Sequence, residues 1–261
     1  MGEETRFFYE PVFCRHPGVA AFLFFKEENM KTNYSTKRLI FVATLAAISV
    51  VFGLFEIPLG LPWLKLDVSE IAILVAAIVV GYKGAFSLIL IRGILRQGLQ
   101  GDLFIPHEMI GELIAVMASL IILGSYYVIT KWIKTYKAPL LLESVVDPKP
   151  VSKKEFLSVV VGVTATLTVL LIILNIFILT PIYLSAFDAL MGFFGFQQFH
   201  FTIFTLVKDP GMKNIFGIDL SSWKLYVTYI LTNYGLLNLS KGLLTTMLFL
   251  PIKSRLEKVE L

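Results

Sequence analysis

The chain has 261 residues, of which 56% are hydrophobic and 16% charged, with a net charge of +4 and a mean hydropathy of +0.78. Soluble domains carry about 25% charged residues, so these values exclude one and describe an all-α integral membrane protein. A single cysteine, Cys14, excludes a disulfide framework and a multi-cysteine metal site, and basic residues that flank apolar spans without forming a stripe exclude a nucleic-acid surface.

Residues 1–29 lack the long apolar core and small-residue cleavage site of a signal peptide. Cys14-Arg15-His16 can be encoded by TGC CGC CAC and Val19-Ala20-Ala21 by GTG GCG GCA, which are reverse complements. The Phe-rich run 22–25 then suits a T-rich tract, and Lys26-Glu27-Glu28 suits a purine-rich ribosome site before Met30. Residues 1–29 are therefore expected to be a leader upstream of a start at Met30, or a disordered extension, and 30–261 the membrane domain.

A spanning helix needs about 20 apolar residues. The first span is expected over 38–57. It carries Ala43 and Ala47, a small-xxx-small face suited to close helix approach, inside the monomer or with a partner. An apolar hairpin over 66–97, broken at Gly81-Tyr82-Lys83-Gly84, supplies two short spans. Before it, the Pro- and Gly-containing loop 58–67 with Trp63 reads as a shaped lid, and Lys65-Leu66-Asp67 as its pocket-side end. Asp67 with Glu70 also fits a variant capping box at the helix start.

The fourth span, 109–133, places Glu112 in the membrane, where a carboxylate needs a partner; Arg92 of the third span is the candidate. The fifth, 156–179, carries Asn175 and is expected to end at Thr180-Pro181. The connection 181–224 is crowded with phenylalanines, as expected of an amphipathic segment in the headgroup layer, with aromatic contact to a ligand as the alternative. His107 and His200 belong to no metal-spaced cluster.

The sixth span, 226–250, is expected to end at Pro251 and holds Asn238 and Lys241 about one turn apart. Each costs roughly 2–3 kcal/mol in a bilayer unless a partner meets it. Lys241 lies about 15 Å from the cytoplasmic end at 1.5 Å per residue, too deep to snorkel. With Asn175 the pair offers amide donors and acceptors plus one cation, suited to the polar edge of a planar heterocycle.

Six spans put both termini on one side. That side carries most of the lysines and arginines, so the termini are expected to be cytoplasmic, with 58–65, 98–106 and 181–224 outside. No phosphate-binding G-x-x-x-x-G-K-[ST] loop occurs, and no carboxylate or histidine cluster argues for a membrane enzyme.

Leu64-Lys65-Leu66-Asp67-Val68-Ser69-Glu70-Ile71, Ile110-Gly111-Glu112-Leu113, the run 175–183 from Asn175 to Tyr183, and Leu237-Asn238-Leu239-Ser240-Lys241-Gly242 stand in an order that resembles the riboflavin-binding substrate component of energy-coupling factor (ECF) transporters. The resemblance covers about 37–255. It implies a non-enzymatic subunit of a bacterial plasma membrane importer, with riboflavin as the transported ligand and no cofactor. It also implies a coupling transmembrane subunit and two ATP-binding subunits as partners. Asn175, Asn238 and Lys241 match the family's flavin-binding residues, and Ala43 and Ala47 its coupling-subunit motif. The chain departs from the family at Arg92-Gly93 and Ile114-Ala115, and its connection 181–224 is longer. Another vitamin or a flavin nucleotide as ligand, or a structural membrane protein, are the alternatives.

Overall fold

The computed structural model describes residues 17–55, 57–58, 65–101, 104–133 and 152–256, with side chains from residue 36 onward except those of Pro58 and Lys65. The chain divides into two units, 1–40 and 41–261. The described part of the first is helical backbone, the opening of α1 (Pro17–Leu54). The leader reading of 1–29 concerns residues 1–16 and the side chains of 17–29, which lie outside the described residues, as does most of the expected lid 58–67.

The described residues of the second unit are mostly helical, with a two-residue ladder that pairs Ile57–Pro58 (β1) with Lys65–Leu66 (β2) and irregular chain between the later helices. Helix α2 (Glu70–Val79) and α3 (Tyr82–Gln100) form the expected broken hairpin. The break falls at Gly81, whose φ of 94° is a conformation that costs a side chain dearly and glycine nothing. Helix α4 runs Pro106–Trp132 and α5 Lys153–Leu174, the latter capped by Ser152, which accepts from the N–H of Glu155. Helices α6 (Thr180–Met191), α7 (Ile203–Leu206) and α8 (Trp223–Leu256) complete the order.

Two expected helix ends are corrected. The helix does not stop at Thr180-Pro181. It widens into one π-type turn, Asn175–Leu179, and continues as α6. A proline has no N–H to return to the preceding turn, and a wider turn absorbs it. The carbonyls of Asn175 and Ile176 are met by the Tyr226 hydroxyl at 3.2 and 3.3 Å. Pro251 likewise lies inside α8, which runs on to Leu256.

Four helical stretches among the described residues are long and apolar enough to cross a membrane: Thr36–Leu54, Pro106–Trp132, Lys153–Met191 and Trp223–Leu256. Helix α2 is shorter, and α3 carries Lys83, Arg92 and Arg96. One apolar core joins α2, α4, α5 and α8 through Leu74, Ile122, Val163, Leu167 and Phe249. A second joins Val42 and Ala46 of α1 to α2 and α3 through Ile73, Ala77, Leu88 and Ile89. Helices α5 and α8 approach closely at Gly242, where a Cβ would stand 2.9 Å from the Thr164 backbone. The apolar side chains left outside, such as Val128, Val161, Val169 and Leu231, suit contact with lipid. Buried Glu155 and Lys253 form an ion pair between the ends of α5 and α8.

Candidate ligand cavity

The short helix α2 starts deep in the protein and brings two carboxylates with it. Asp67 Oδ1 accepts from the N–H of Ser69 at 3.0 Å and from its hydroxyl at 2.5 Å, a local turn that fixes the helix entry. The expected capping box is not formed: Ser69 is the cap residue, without a side-chain bond to the helix, and Glu70 turns away from it. Glu70, fully buried, lies 3.1 Å from Lys241 Nζ and 3.4 Å from Arg92 Nη1. Lys241 Nζ also lies 3.5 Å from Asp67 Oδ2. The guanidinium of Arg92 donates to Ser69 Oγ and Ser119 Oγ, each at 3.0 Å.

The expected Arg92–Glu112 partnership is present but loose, at 4.0 Å; Arg96 is nearer to Glu112, at 3.6 Å. Three carboxylates (Asp67, Glu70, Glu112) and three cations (Arg92, Arg96, Lys241) thus form one cluster whose charges sum to zero. Burying such ions singly would cost several kcal/mol each, and only mutual pairing makes their burial tolerable. Lys241 therefore faces inward, as its depth in the apolar helix α8 requires, and its partners are carboxylates that position it.

The cluster closes one side of a cavity of about 350 Å³, within the range of small-molecule sites. Asp67, Arg96, Glu112, Asn175, Asn238 and Lys241 line it. Asn238, one turn from Lys241, is buried and its Nδ2 has no partner within the protein. Asn175 is engaged differently from expectation: its Nδ2 donates to the Leu171 carbonyl at 2.8 Å and its Oδ1 accepts from Thr180 at 3.1 Å, so it also holds the widened turn together.

Apolar and aromatic walls come from Ala118, Leu171, Tyr183, Phe187, Phe216 and Leu237. Phe187 and Phe216 belong to the connection expected to float in the headgroup layer. Instead that connection folds into a compact cap. Its core unites Leu184, Phe194, Ile203, Leu206, Met212, Ile215 and Leu220 with Tyr226, Ile230 and Tyr234 of α8. Asp188 accepts from the N–H groups of Phe194, Gly195 and Phe196, at 2.5, 3.1 and 2.7 Å. Asp209 accepts from those of Gln197 and Gly211 and lies 2.9 Å from His200 Nε2. Phe193, Phe201 and Phe204 remain exposed on the cap, while Phe187 and Phe216 line the cavity.

Of the remaining residues singled out, Leu66 is buried just outside the cavity lining, and the Lys65 side chain lies outside the described residues. Ala43 and Ala47 are both exposed, whereas Val42, Ala46, Ser49 and Val50 form the buried side of α1. The small-residue face is thus free of packing within the second unit. Sequence reasoning missed Gln97, His107 and Tyr234 as lining residues. His107 was seen only as a metal ligand that failed. Gln97 lies where an apolar run gives way to Arg96, Gln97 and Gln100, a polar patch readable as a helix end.

A family model described as "ECF transporter, substrate-specific component" matches residues 37–253. Among solved structures the chain is similar to one described as the S component of a bacterial ECF transporter, with 19% identity and a TM-score of 0.52, over 86% of this chain and 97% of that one. At this identity the likeness shows a common fold. No curated protein matches the chain.

Proposed function

The chain belongs to the substrate-specific components of ECF transporters, multi-pass membrane proteins that bind a transported substrate, and we propose that its substrate is riboflavin, taken from outside the cell. The observation that carries this reading is Asn238: a buried amide donor without a protein partner, on the cavity wall one turn from Lys241. An empty donor of this kind costs about 1–3 kcal/mol. A ligand with carbonyl and ring-nitrogen acceptors along one edge meets it, and Tyr183, Phe187 and Leu237 are suited to packing its apolar faces. Asn175 also lines the cavity, with its amide bonded to Leu171 and Thr180.

The zero charge sum favours a neutral guest over a phosphorylated one. Lys241, Arg92 and Arg96 are already met by carboxylates. The one further carboxylate lining the cavity, Glu108, adds negative charge. A phosphate ester carries about −1.5 to −2 and would have to break one of these pairs to find a cation. Riboflavin asks for no such exchange, which supports it over the flavin nucleotide.

The work is capture without bond chemistry. In this reading six spans cross a bacterial plasma membrane with both termini cytoplasmic, α2 and α3 completing the set. The segment 58–67 closes over the bound vitamin. A coupling transmembrane subunit docks on Ala43 and Ala47, whose exposure on α1 supports that assignment. Two ATP-binding subunits drive the reorientation that releases the vitamin inside.

Purification without added ligand tests the reading. A yellow protein with a flavin absorption spectrum is expected. Colourless protein that binds no riboflavin at micromolar concentration refutes it. Ala43→Trp and Ala47→Trp are expected to leave riboflavin binding intact and abolish uptake in cells that hold the partner subunits; uptake at the wild-type rate removes the docking assignment.

A further inference from the structure

The cluster around Lys241 occupies only one end of the cavity. Helix geometry measures how far the rest extends. Arg92 stands level with Glu70, to which it is bonded, and Gln97 lies five residues further along α3, about 7.5 Å at 1.5 Å per residue. His107 lies five residues from Glu112 along α4 in the same sense, again about 7.5 Å. Tyr234 lies seven residues from Lys241 along α8, about 10 Å. These three residues line the same cavity, and together they mark a second end, about 7.5–10 Å along the helices from the Glu70–Lys241 pair, with the Arg96–Glu112 pair between the two.

That second end is polar in a particular way. Gln97 is 7% exposed and its Nε2 has no partner in the protein. His107 is 6% exposed and its Nδ1 has none either. The imidazole is held edge-on against Phe187, with centroids 5.1 Å apart, and against Tyr183 at 6.3 Å. Its Nε2 lies 3.5 Å from Glu108 Oε1. Two buried polar atoms without a protein partner thus line the cavity wall, from different helices.

We infer that Gln97 and His107 form a second subsite, which takes the hydroxylated, uncharged tail of the ligand while Asn238 and Lys241 hold its ring. The inference rests on the riboflavin reading and extends it to residues outside the matched motifs. A hydroxyl both donates and accepts, so a chain of them fits an amide and an imidazole in either orientation. An apolar tail leaves both groups unpaired. A carboxylate or phosphate tail meets Glu108, and the neighbouring Arg96 is already paired with Glu112.

The test compares riboflavin with lumiflavin, a flavin ring that lacks the hydroxylated tail. Binding to the full chain in detergent is measured by quenching of flavin fluorescence. Wild-type protein is expected to hold riboflavin at least tenfold more tightly than lumiflavin. In Gln97→Leu/His107→Leu the affinity for riboflavin falls at least tenfold, to the lumiflavin level, while that for lumiflavin stays within twofold. His107→Gln, which keeps a donor and an acceptor, retains part of the preference. Equal losses for both flavins mean a structural role and overturn the subsite, as does an unchanged riboflavin affinity. In both cases wild-type flavin binding, and so the riboflavin reading, survives. If wild-type protein binds neither flavin, that reading falls and the subsite falls with it.

Discussion

The cluster around Glu70 and the cap both bury carboxylates, yet they neutralise them by different means. In the cap, Asp188 and Asp209 are met mostly by backbone N–H groups of irregular chain between Phe194 and Gly211. Around Glu70, Asp67 takes one backbone N–H, that of Ser69, but Glu70 and Glu112 depend on the side chains of Arg92, Arg96 and Lys241. A loop can fold several N–H groups around an anion; the interior of a helix, whose N–H groups are bonded within it, can only bring a side chain to it. The first arrangement is local in the chain, within about 20 residues. The second joins α2, α3, α4 and α8, and so needs the whole bundle.

Removing a cation from the bundle should therefore cost more than removing an anion from the cap. Arg92→Met leaves Glu70 buried with Lys241 alone and strips Glu112 of one neighbour. We expect a loss of about 3–5 kcal/mol, seen as a large fall in the thermal unfolding temperature in detergent, or as failure to accumulate folded protein. An unchanged unfolding temperature would erase the contrast.

Asp188→Ala deprives three N–H groups of their acceptor at once. The expected loss is about 1–3 kcal/mol. It should be confined to the cap, so hydrogen exchange rises over 192–216 and not in α2 or α3. Exchange that rises equally in both regions would show the two to be one cooperative unit.

Lys241→Ala is expected to weaken riboflavin binding tenfold or more, about 1.4 kcal/mol per factor of ten, because it removes the ligand's cation and leaves Asp67 and Glu70 repelling each other. Asn238→Ala should weaken it by a smaller factor, since the two carboxylates keep their partners. Titration of both variants with riboflavin ranks them, and the reverse ranking would mean that the cluster serves folding more than binding.

The smallest effect concerns acid. Burial pushes the Asp209 carboxyl up, but the N–H groups of Gly211 and Gln197 and the neighbouring His200 outweigh it, and the group sits below its ordinary value of 3.8. A depressed carboxylate adds stability that is present above the unfolded value and lost as pH falls through the folded one. The cap should therefore hold between pH 5 and pH 7 (roughly) and loosen only below about pH 4. Asp209→Asn should flatten that acid limb, measured by hydrogen exchange of the cap against pH; a limb unchanged by the substitution would assign it to another group.

Much of this arrangement was readable from the chain. Lys241 and Asn238 stand in an apolar run where a bilayer forbids them an outward position, so their inward direction needed no coordinates. The break at Gly81 followed from punctuation between two short apolar runs. Pro181 and Pro251 misled, because the rule that proline ends a helix is local. The widened turn lies just before Pro181, but Tyr226, whose hydroxyl meets its carbonyls, lies 45 residues further along the chain. The cap misled for a related reason: phenylalanines in a connection look alike whether they face lipid or one another.

Hydropathy alone determined that this chain lives in a membrane, and the spacing of its motifs determined the family to which it belongs, because the cost of polar groups in hydrocarbon acts residue by residue. Tertiary structure decided that Glu70, Arg92 and Lys241 neutralise one another, that Phe187 and Phe216 reach the cavity, and that Gln97 and His107 share one wall of it. Those outcomes depend on which helix faces stand opposite each other, and pairing across space is set by packing between distant segments rather than by any neighbour in the chain.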